Sequence, residues 1–275
     1  MRWTTVLVML SVLSALSASA AEEFPFALKG QEVQGGLLIG QAPAESTVTL
    51  DGEPLMRSSD GYFLVGFSRD ETAARELVIE AGGQRWSRRL APAEREFNIQ
   101  RIDGLPPSKV TPAAESIARI QAEAAQTRAA REQRDDRTDF NNGFIWPVTG
   151  PITGVYGSQR ILNGEERNPH WGIDIAAPTG TPVLAPAGGI VTLVHEDMFF
   201  SGGTLLLDHG LGLSSAFLHL DRILVEDGQR VEQGDVIAEV GATGRVTGAH
   251  LDWRMNLGSV RVDPQLLVPP LEAEQ

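Results

Sequence analysis

Two apolar runs on either side of a glycine-containing turn make up residues 202–220, GGTLLLDHGLGLSSAFLHL. Runs of this kind, bounded by glycine, are typical of buried strands that a tight turn connects. The same pattern returns in GTPVLAPAGGIVTLV at 180–194 and in DVIAEVG at 235–241, with no long helical period between them. Residues 144–268 are therefore predicted to form an antiparallel all-β domain, followed by a short tail at 269–275.

The segment 22–100 carries a second set of strand signals. Asp51-Gly52, Asp60-Gly61 and Gly82-Gly83 stand between alternating apolar residues. Asp-Gly and Gly-Gly pairs in that position are the commonest hairpin signals. About seven short strands in this length predict a small β-sandwich. Its residues include no constellation typical of catalysis, so we expect a scaffold or a binding module.

Residues 101–143 differ in composition from the two β-rich segments. Prolines open the segment, and alanine, glutamate, glutamine and arginine then dominate it. Thr111 suits a helix N-cap, and Pro112 suits the first helical position. A thin apolar stripe follows at helical spacing. The segment is therefore predicted to be a linker with a connecting helix over about 111–134 that packs lightly on a neighbouring domain.

The first twenty residues, MRWTTVLVMLSVLSALSASA, have the layout of a secretory signal. Arg2 precedes an apolar run, and small residues at 18–20 end it. Cleavage of such a segment is expected after Ala20. A membrane-spanning helix is the alternative interpretation, but the run is short for a bilayer crossing. Residues 1–20 are therefore predicted to be a signal peptide that directs the protein to the periplasm.

The overall composition limits the partners and the cross-links. The chain has 275 residues, a net charge of −13 and no cysteine. Negative charge repels nucleic acid and anionic lipid headgroups, so neither is expected as a partner. The lack of cysteine excludes disulfides and a lipid-modified N-terminal cysteine, so no membrane anchor is expected.

Imidazoles and carboxylates recur at strand spacing in the second β-rich segment. His170 and Asp174 in HWGID lie four positions apart, and His250 and Asp252 in GAHLDW lie two apart. In an extended chain such positions share one face. His219 in SAFLHL stands on a third apolar strand. Nitrogen and oxygen donors that converge in this way suit a zinc ion, although a histidine–aspartate hydrogen bond inside the fold is the alternative for each pair alone.

Taken in order, HWGID (170–174), FLHL (217–220) and GAHLDW (248–253) resemble the motifs of the lysostaphin-type, LytM-like zinc metallopeptidases. The segments between these motifs also match the family, for example GQRVEQGDVIAEVGATGRVTG at 228–248. The resemblance covers about 144–257. It implies an antiparallel β-sheet of the duplicated hybrid motif type, with one zinc ion in its groove. It also implies hydrolysis of peptide bonds in the stems or cross-links of peptidoglycan.

The resemblance assigns roles to individual residues. His170 and Asp174 would be zinc ligands, and His219 and His250 would be the catalytic histidines. Asp252 stands where the family has a histidine as the third ligand. Aspartate binds zinc at about the same distance as histidine, roughly 2.0–2.2 Å. Because two carboxylates cancel more of the metal charge, a bound water would be less acidic, and Mn²⁺ or another divalent ion becomes an alternative cofactor.

Three further residues and two segments receive an interpretation. Arg160 in YGSQR is predicted to bind substrate, with an ordinary surface position as the alternative. The segment 158–169 has no strand period and is predicted to form one groove wall, and the loop 196–203 is predicted to form another. His209 is predicted to be structural, and His195 to be exposed and not a ligand.

Two functions are compatible with these residues and with the resemblance. The first is an exported zinc metalloendopeptidase that acts on peptidoglycan peptides. The second is a degenerate LytM-type module without activity, which binds and regulates another cell-wall hydrolase or a divisome protein. Four of the family's five site residues favour the enzyme, and the exchange at Asp252 is the feature that favours the regulator.

Overall fold

The computed structural model describes residues 24–102, 116–162 and 164–271. The predicted signal peptide at 1–20 and the first part of the predicted connecting helix, 111–115, lie outside those residues. Strands dominate the described chain, and most strand pairs are antiparallel. The prediction of a mainly all-β fold is therefore confirmed. No helix in this described part has the length and hydropathy that a bilayer crossing requires.

The N-terminal part folds into two antiparallel sheets with orders β1-β2-β5 and β4-β3-β6-β7. Alternate residues of facing strands, such as Phe63 and Val65 on one sheet and Leu77 and Ile79 on the other, fill the core between them. This is the period-2 pattern that a half-buried strand requires. The strands are β1 (Leu28–Gly30), β2 (Leu37–Gln41), β3 (Thr47–Leu50), β4 (Glu53–Pro54), β5 (Tyr62–Gly66), β6 (Arg75–Ala81), β7 (Gln84–Leu90) and β8 (Ile99–Ile102).

The sheet β1-β2-β5 is covered on both faces. Leu37 and Leu64 point away from the N-terminal core and belong to the core of the C-terminal part. Arg95 pairs with the buried Asp263 at 2.8 Å, which adds a polar contact between the two parts. The parts of the chain thus pack as consecutive layers. The domain boundaries proposed above remain predictions.

The C-terminal part is built on one large antiparallel sheet of order β17-β14-β15-β16-β19-β12-β9. Off this path, β13 pairs with β18, β18 pairs with β16, and β20 pairs with β19. Two short 3₁₀ helices occupy Asp139–Asn142 and Pro264–Leu266. The strands are β9 (Ile152–Gly154), β10 (Gln159–Leu162), β11 (Glu165–Glu166), β12 (Gly172–Ala176), β13 (Pro182–Leu184), β14 (Gly189–Met198), β15 (Gly202–Asp208), β16 (Leu213–Ile223), β17 (Arg230–Val231), β18 (Val236–Val240), β19 (His250–Leu257) and β20 (Val260–Val262).

Helix α1 (Ile117–Ala130) lies over the second face of this sheet. Ala130 packs with Leu206, Ala216 and Leu218 of β15 and β16, whereas the main core lies on the opposite face. Coverage of both faces explains why these central strands are apolar at successive positions. The helix ends four residues before the predicted end at 134, because the charged residues after Ala130 provide no further apolar contact with the sheet.

The segment 158–169 corrects a prediction. It was expected to lack strands, but β10 runs parallel to β8 and forms a short hairpin with β11. The pairing brings residue 159 beside residue 99, far apart in sequence. A strand that is stabilised mainly by pairing with a distant segment need not show a strong local strand pattern, so the sequence did not predict it.

Candidate metal site

Strand pairing places two carboxylates side by side. In the antiparallel pair β12–β19, Asp174 lies directly opposite Asp252. Directly opposite residues project to the same face. Their neighbours Ile173 and Leu251 are fully buried in the core on the other face. The alternation read from the sequence therefore holds for both strands at this point.

Two glycines leave room for these carboxylates. A Cβ atom on Gly154 would lie 2.2 Å from Oδ2 of Asp174, and one on Gly172 would lie 2.7 Å from Oδ1 of Asp252. Both distances are far below van der Waals contact. A side chain at either position would displace a carboxylate, so the site requires glycine there.

His170 lies in the loop before β12 and completes a cluster with these two residues. Its Nε2 is 3.1 Å from Oδ1 of Asp174 and 3.5 Å from Oδ2 of Asp252. One donor atom from each of the three residues lies within 4.8 Å of the others. Nδ1 lies 3.3 Å from the carbonyl oxygen of Val155, to which it donates. A neutral His170 therefore presents the lone pair of Nε2 to the carboxylates.

This arrangement fits a cation. Nε2 of His170 and Oδ1 of Asp174 are buried, and neither has a hydrogen bond of acceptable geometry within the described residues. A lone pair that faces an anion is repulsive unless a proton or a metal ion lies between them. One nitrogen and two carboxylate oxygens form a donor set that zinc accepts.

The ionisation of the cluster agrees with that interpretation. Burial opposes a charge on His170, but the facing carboxylates of Asp174 and Asp252 outweigh it and raise the pKa of His170 to about 10. Burial also opposes the charge of Asp252, yet the charges of Arg254 and His170 hold the pKa of Asp252 below its usual range. The site therefore stabilises positive charge at its centre and keeps Asp252 ionised.

His219 reaches the same face through a β-bulge. Regular alternation would turn it into the core with Phe217, because Leu218 lies opposite Asp252. The pairing with β15 shifts between Phe217 and Leu220, and His219 has a φ of 67°. The extra residue turns His219 out of the core. Positive φ is uncommon for a residue with a side chain, and such strain occurs most often at functional sites.

The two remaining histidines of the site lie next to each other. The ring centroids of His219 and His250 are 4.9 Å apart. Nδ1 of His219 donates to the carbonyl of Thr243 at 3.0 Å, and Nδ1 of His250 donates to that of Gly248 at 2.9 Å. Nε2 of each ring therefore points away from these carbonyls, and Nε2 of His250 lies 3.7 Å from Oδ1 of Asp174. Burial lowers the pKa of His219 and keeps that ring neutral.

Arg254 is a residue of the site that the sequence reasoning missed. Its Nε donates to Oδ1 of Asp252 at 3.0 Å, and its Nη2 donates to Oδ2 at 2.5 Å. The alternation that pairs His250 with Asp252 extends two residues further to Arg254, so a signal was present. The guanidinium occupies lone pairs of Asp252 that a metal ion would otherwise use.

The other predicted positions lie elsewhere. Arg160 belongs to β10, and its side chain is outside the described part of the structure. His209 is fully buried and bonds to Gly188 and Ser215, as its predicted structural role requires. The predicted exposure of His195 is wrong, since this residue is partly buried, and its Nδ1 accepts from the backbone N–H of Asp197.

Comparison with known proteins gives concordant matches. The model of peptidase family M23 matches residues 168–264. A solved structure of a putative peptidase M23 from Pseudomonas aeruginosa is 31% identical, with a TM-score of 0.66, and the match covers 86% of this chain and 94% of that one.

Curated relatives match about half of the chain. The peptidoglycan DD-endopeptidases ShyC and ShyB of Vibrio cholerae are 32% identical over 143 residues and 41% identical over 130 residues. These matches cover 52% and 47% of this chain, but 29% and 27% of the two relatives. The chain therefore matches less than a third of the length of either curated relative.

Proposed function

The chain belongs to peptidase family M23, and we propose that it is an exported, metal-dependent endopeptidase that cleaves peptide bonds in peptidoglycan stems or cross-links. The observation that supports this proposal is the convergence of His170, Asp174 and Asp252 beside the imidazoles of His219 and His250. The names of the curated relatives support the substrate class. The sequence layout of residues 1–20 supports export to the periplasm.

His170, Asp174 and Asp252 would hold one zinc ion, or Mn²⁺ as the alternative. A bound zinc ion would supply Lewis acidity that activates water and polarises the scissile carbonyl. His219 is neutral and accepts a proton from the attacking water at Nε2. His219 then gives this proton to the leaving amine, while His250, in the form protonated at Nε2, would donate a hydrogen bond to the oxyanion. The hydrogen bonds of both Nδ1 atoms to backbone carbonyls keep the rings in the required orientation.

A second candidate is a module without catalytic activity that binds and regulates another cell-wall hydrolase. The observation that favours it is the ion pair between Arg254 and Asp252, with Nη2 and Oδ2 only 2.5 Å apart. A carboxylate that is already neutralised binds a divalent cation less strongly. The two candidates therefore differ in whether the site takes up a metal ion.

The deciding experiment measures zinc uptake by residues 21–275 with equilibrium dialysis, followed by digestion of purified peptidoglycan. About one zinc per chain, lost in His170→Ala, supports a metal site. Release of soluble fragments by the wild type but not by His219→Ala, which keeps the three ligands, supports the enzyme. Failure to bind either zinc or Mn²⁺ in excess would refute the enzyme and leave the regulator.

A further inference from the structure

A cavity of about 800 Å³ lies between helix α1 and the strands beside the metal site. Its floor includes Leu206, Ala216 and Leu218, and it extends to His219 and Arg254. One end therefore reaches His219 and Arg254, the residue that binds Asp252, and residues of α1 form one wall. The residues predicted to bind the metal or to catalyse do not assign a function to the part of the cavity beside the helix.

The cavity is basic although the chain is acidic. The net charge of the chain is −13. The arginines that line the cavity are Arg128, Arg131, Arg134, Arg254 and Arg261. Its acidic lining residues are Glu123 and Glu132. Glu123 is already engaged, since its oxygens accept from Nε of Arg119 at 2.6 Å and from the backbone N–H of Phe199 at 2.8 Å.

Among these arginines, Arg131 is the one with a buried side-chain nitrogen that lacks a partner in the described chain. Its Nε is buried and has no hydrogen-bond partner within the described residues. Burial, together with the charges of Arg254 and Arg261, lowers the pKa of Arg131 to about 10. A buried guanidinium that faces like charges is unfavourable unless an anion compensates it.

Its two neighbours are held in place by other contacts. The guanidinium of Arg261 lies over the ring of Trp171, 4.4 Å from the centroid. Arg254 binds Asp252 through Nε and Nη2, which leaves Nη1 without a hydrogen bond to the described chain. Guanidinium groups fixed in this way are preorganised donors, and their planar forks match the two oxygens of a carboxylate.

We propose that the arginine cavity, defined by Arg131, Arg254 and Arg261, binds a carboxylate group of the peptide substrate beside the metal site. This inference rests on the proposed function for the identity of the ligand. Peptides carry their negative charge as carboxylates, and one such group bound under α1 would position a neighbouring peptide bond at His219. The cavity would then select substrates that carry a free carboxylate near the scissile bond.

The test uses the chain 21–275 with chelator present, so that binding is measured without hydrolysis. The probe is N-acetyl-D-alanyl-D-alanine, and its C-terminal amide is the matched neutral probe. NMR titration follows the side-chain Nε–H resonance of Arg131 and gives the Kd. We expect the acid to bind about tenfold or more tightly than the amide, because charge-assisted hydrogen bonds to a carboxylate are lost in the amide.

Variants locate the binding. Arg131→Gln and Arg261→Gln are each expected to weaken binding of the acid by about tenfold, with little effect on the amide. Arg222→Gln removes one exposed arginine outside the cavity and should bind as the wild type does. If Arg131→Gln does not fold, Arg261→Gln provides the same test, because Arg261 is exposed and does not belong to the core.

Three results would overturn the inference: equal binding of acid and amide, unchanged binding in both cavity variants, or tighter binding of inorganic phosphate than of the acid. If the proposed endopeptidase function is wrong, the experiments give a different set of results. In that case no zinc is bound and no peptidoglycan is digested, while the difference between acid and amide persists and remains sensitive to Arg131→Gln.

Discussion

His209 and His219 lie near opposite ends of the strand pair β15–β16. Their surroundings give these two identical side chains different hydrogen bonds. Both are buried, with relative exposures of 0% and 7%, and both donate from Nδ1 to a backbone carbonyl. They differ at Nε2. His209 bonds there to Ser215 at 2.7 Å, whereas His219 lines the cavity beside His250. Nε2 of His209 is occupied by this hydrogen bond, whereas Nε2 of His219 has none within the described residues, and this difference underlies the proposed role of His219 as the base.

The largest expected effect concerns His219. We expect His219→Ala to reduce the rate of peptidoglycan digestion about 1,000-fold, since a general base contributes about 10²–10⁴-fold. The zinc content should not change, because the three proposed ligands remain. Rates of fragment release and elemental analysis measure both quantities. Undiminished activity would remove the proposed distinction between the two histidines.

The pH dependence of stability tests His209. Burial lowers the pKa of His209 to about 4 from its usual 6.5. Between these values the unfolded chain binds a proton that the native state excludes, so the free energy of unfolding falls as the pH falls from 6.5 towards 4. Since one pKa unit corresponds to about 1.4 kcal/mol, the full effect is about 3 kcal/mol.

The ionisation of Asp208 also changes the free energy of unfolding in this pH range, so the measurement needs a control. Burial raises the pKa of Asp208 to about 6, so this carboxyl contributes in the opposite direction over the same range. The contribution of His209 is therefore the difference between the wild type and His209→Gln in urea unfolding at pH 4.5 and pH 7.5. Equal pH dependence in the two proteins would contradict the assignment.

His209→Ala is expected to lower the free energy of unfolding by about 2 kcal/mol at pH 7.5, because it creates a cavity and leaves Ser215 and a backbone carbonyl without their partner. Thermal and urea unfolding measure this change. His219→Ala serves as the comparison and should cost less than about 1 kcal/mol, since the cavity beside it accepts water. The reverse order of the two costs would contradict the structural comparison.

The smallest expected effect concerns Arg254. Arg254→Gln removes a positive charge and frees lone pairs of Asp252, so zinc should bind about tenfold more tightly, or about 1.4 kcal/mol. Arg222→Gln is the matched charge control. Competition with a fluorescent zinc chelator gives the affinities. Weaker binding would mean that Arg254 holds Asp252 in position as a ligand instead of competing with the metal.

Some features of the site followed from local pattern. Alternation placed His250 and Asp252 on one face and Leu251 in the core, and the structure agrees. The same rule extends to Arg254, two residues further along the strand, although this residue is not part of the family motifs. The strands β8 and β10 escaped prediction because their pairing depends on a partner far away in sequence.

The repeated apolar runs and glycine turns were sufficient for the all-β class, because period-2 alternation and turn chemistry are local properties of the chain. The order of motifs was likewise sufficient to identify the family. Tertiary structure alone decided that a bulge turns His219 out of the core and that α1 lines an arginine-rich cavity beside it. Each of these depends on contacts between residues that are distant in the chain or on a register shift, which no local pattern encodes.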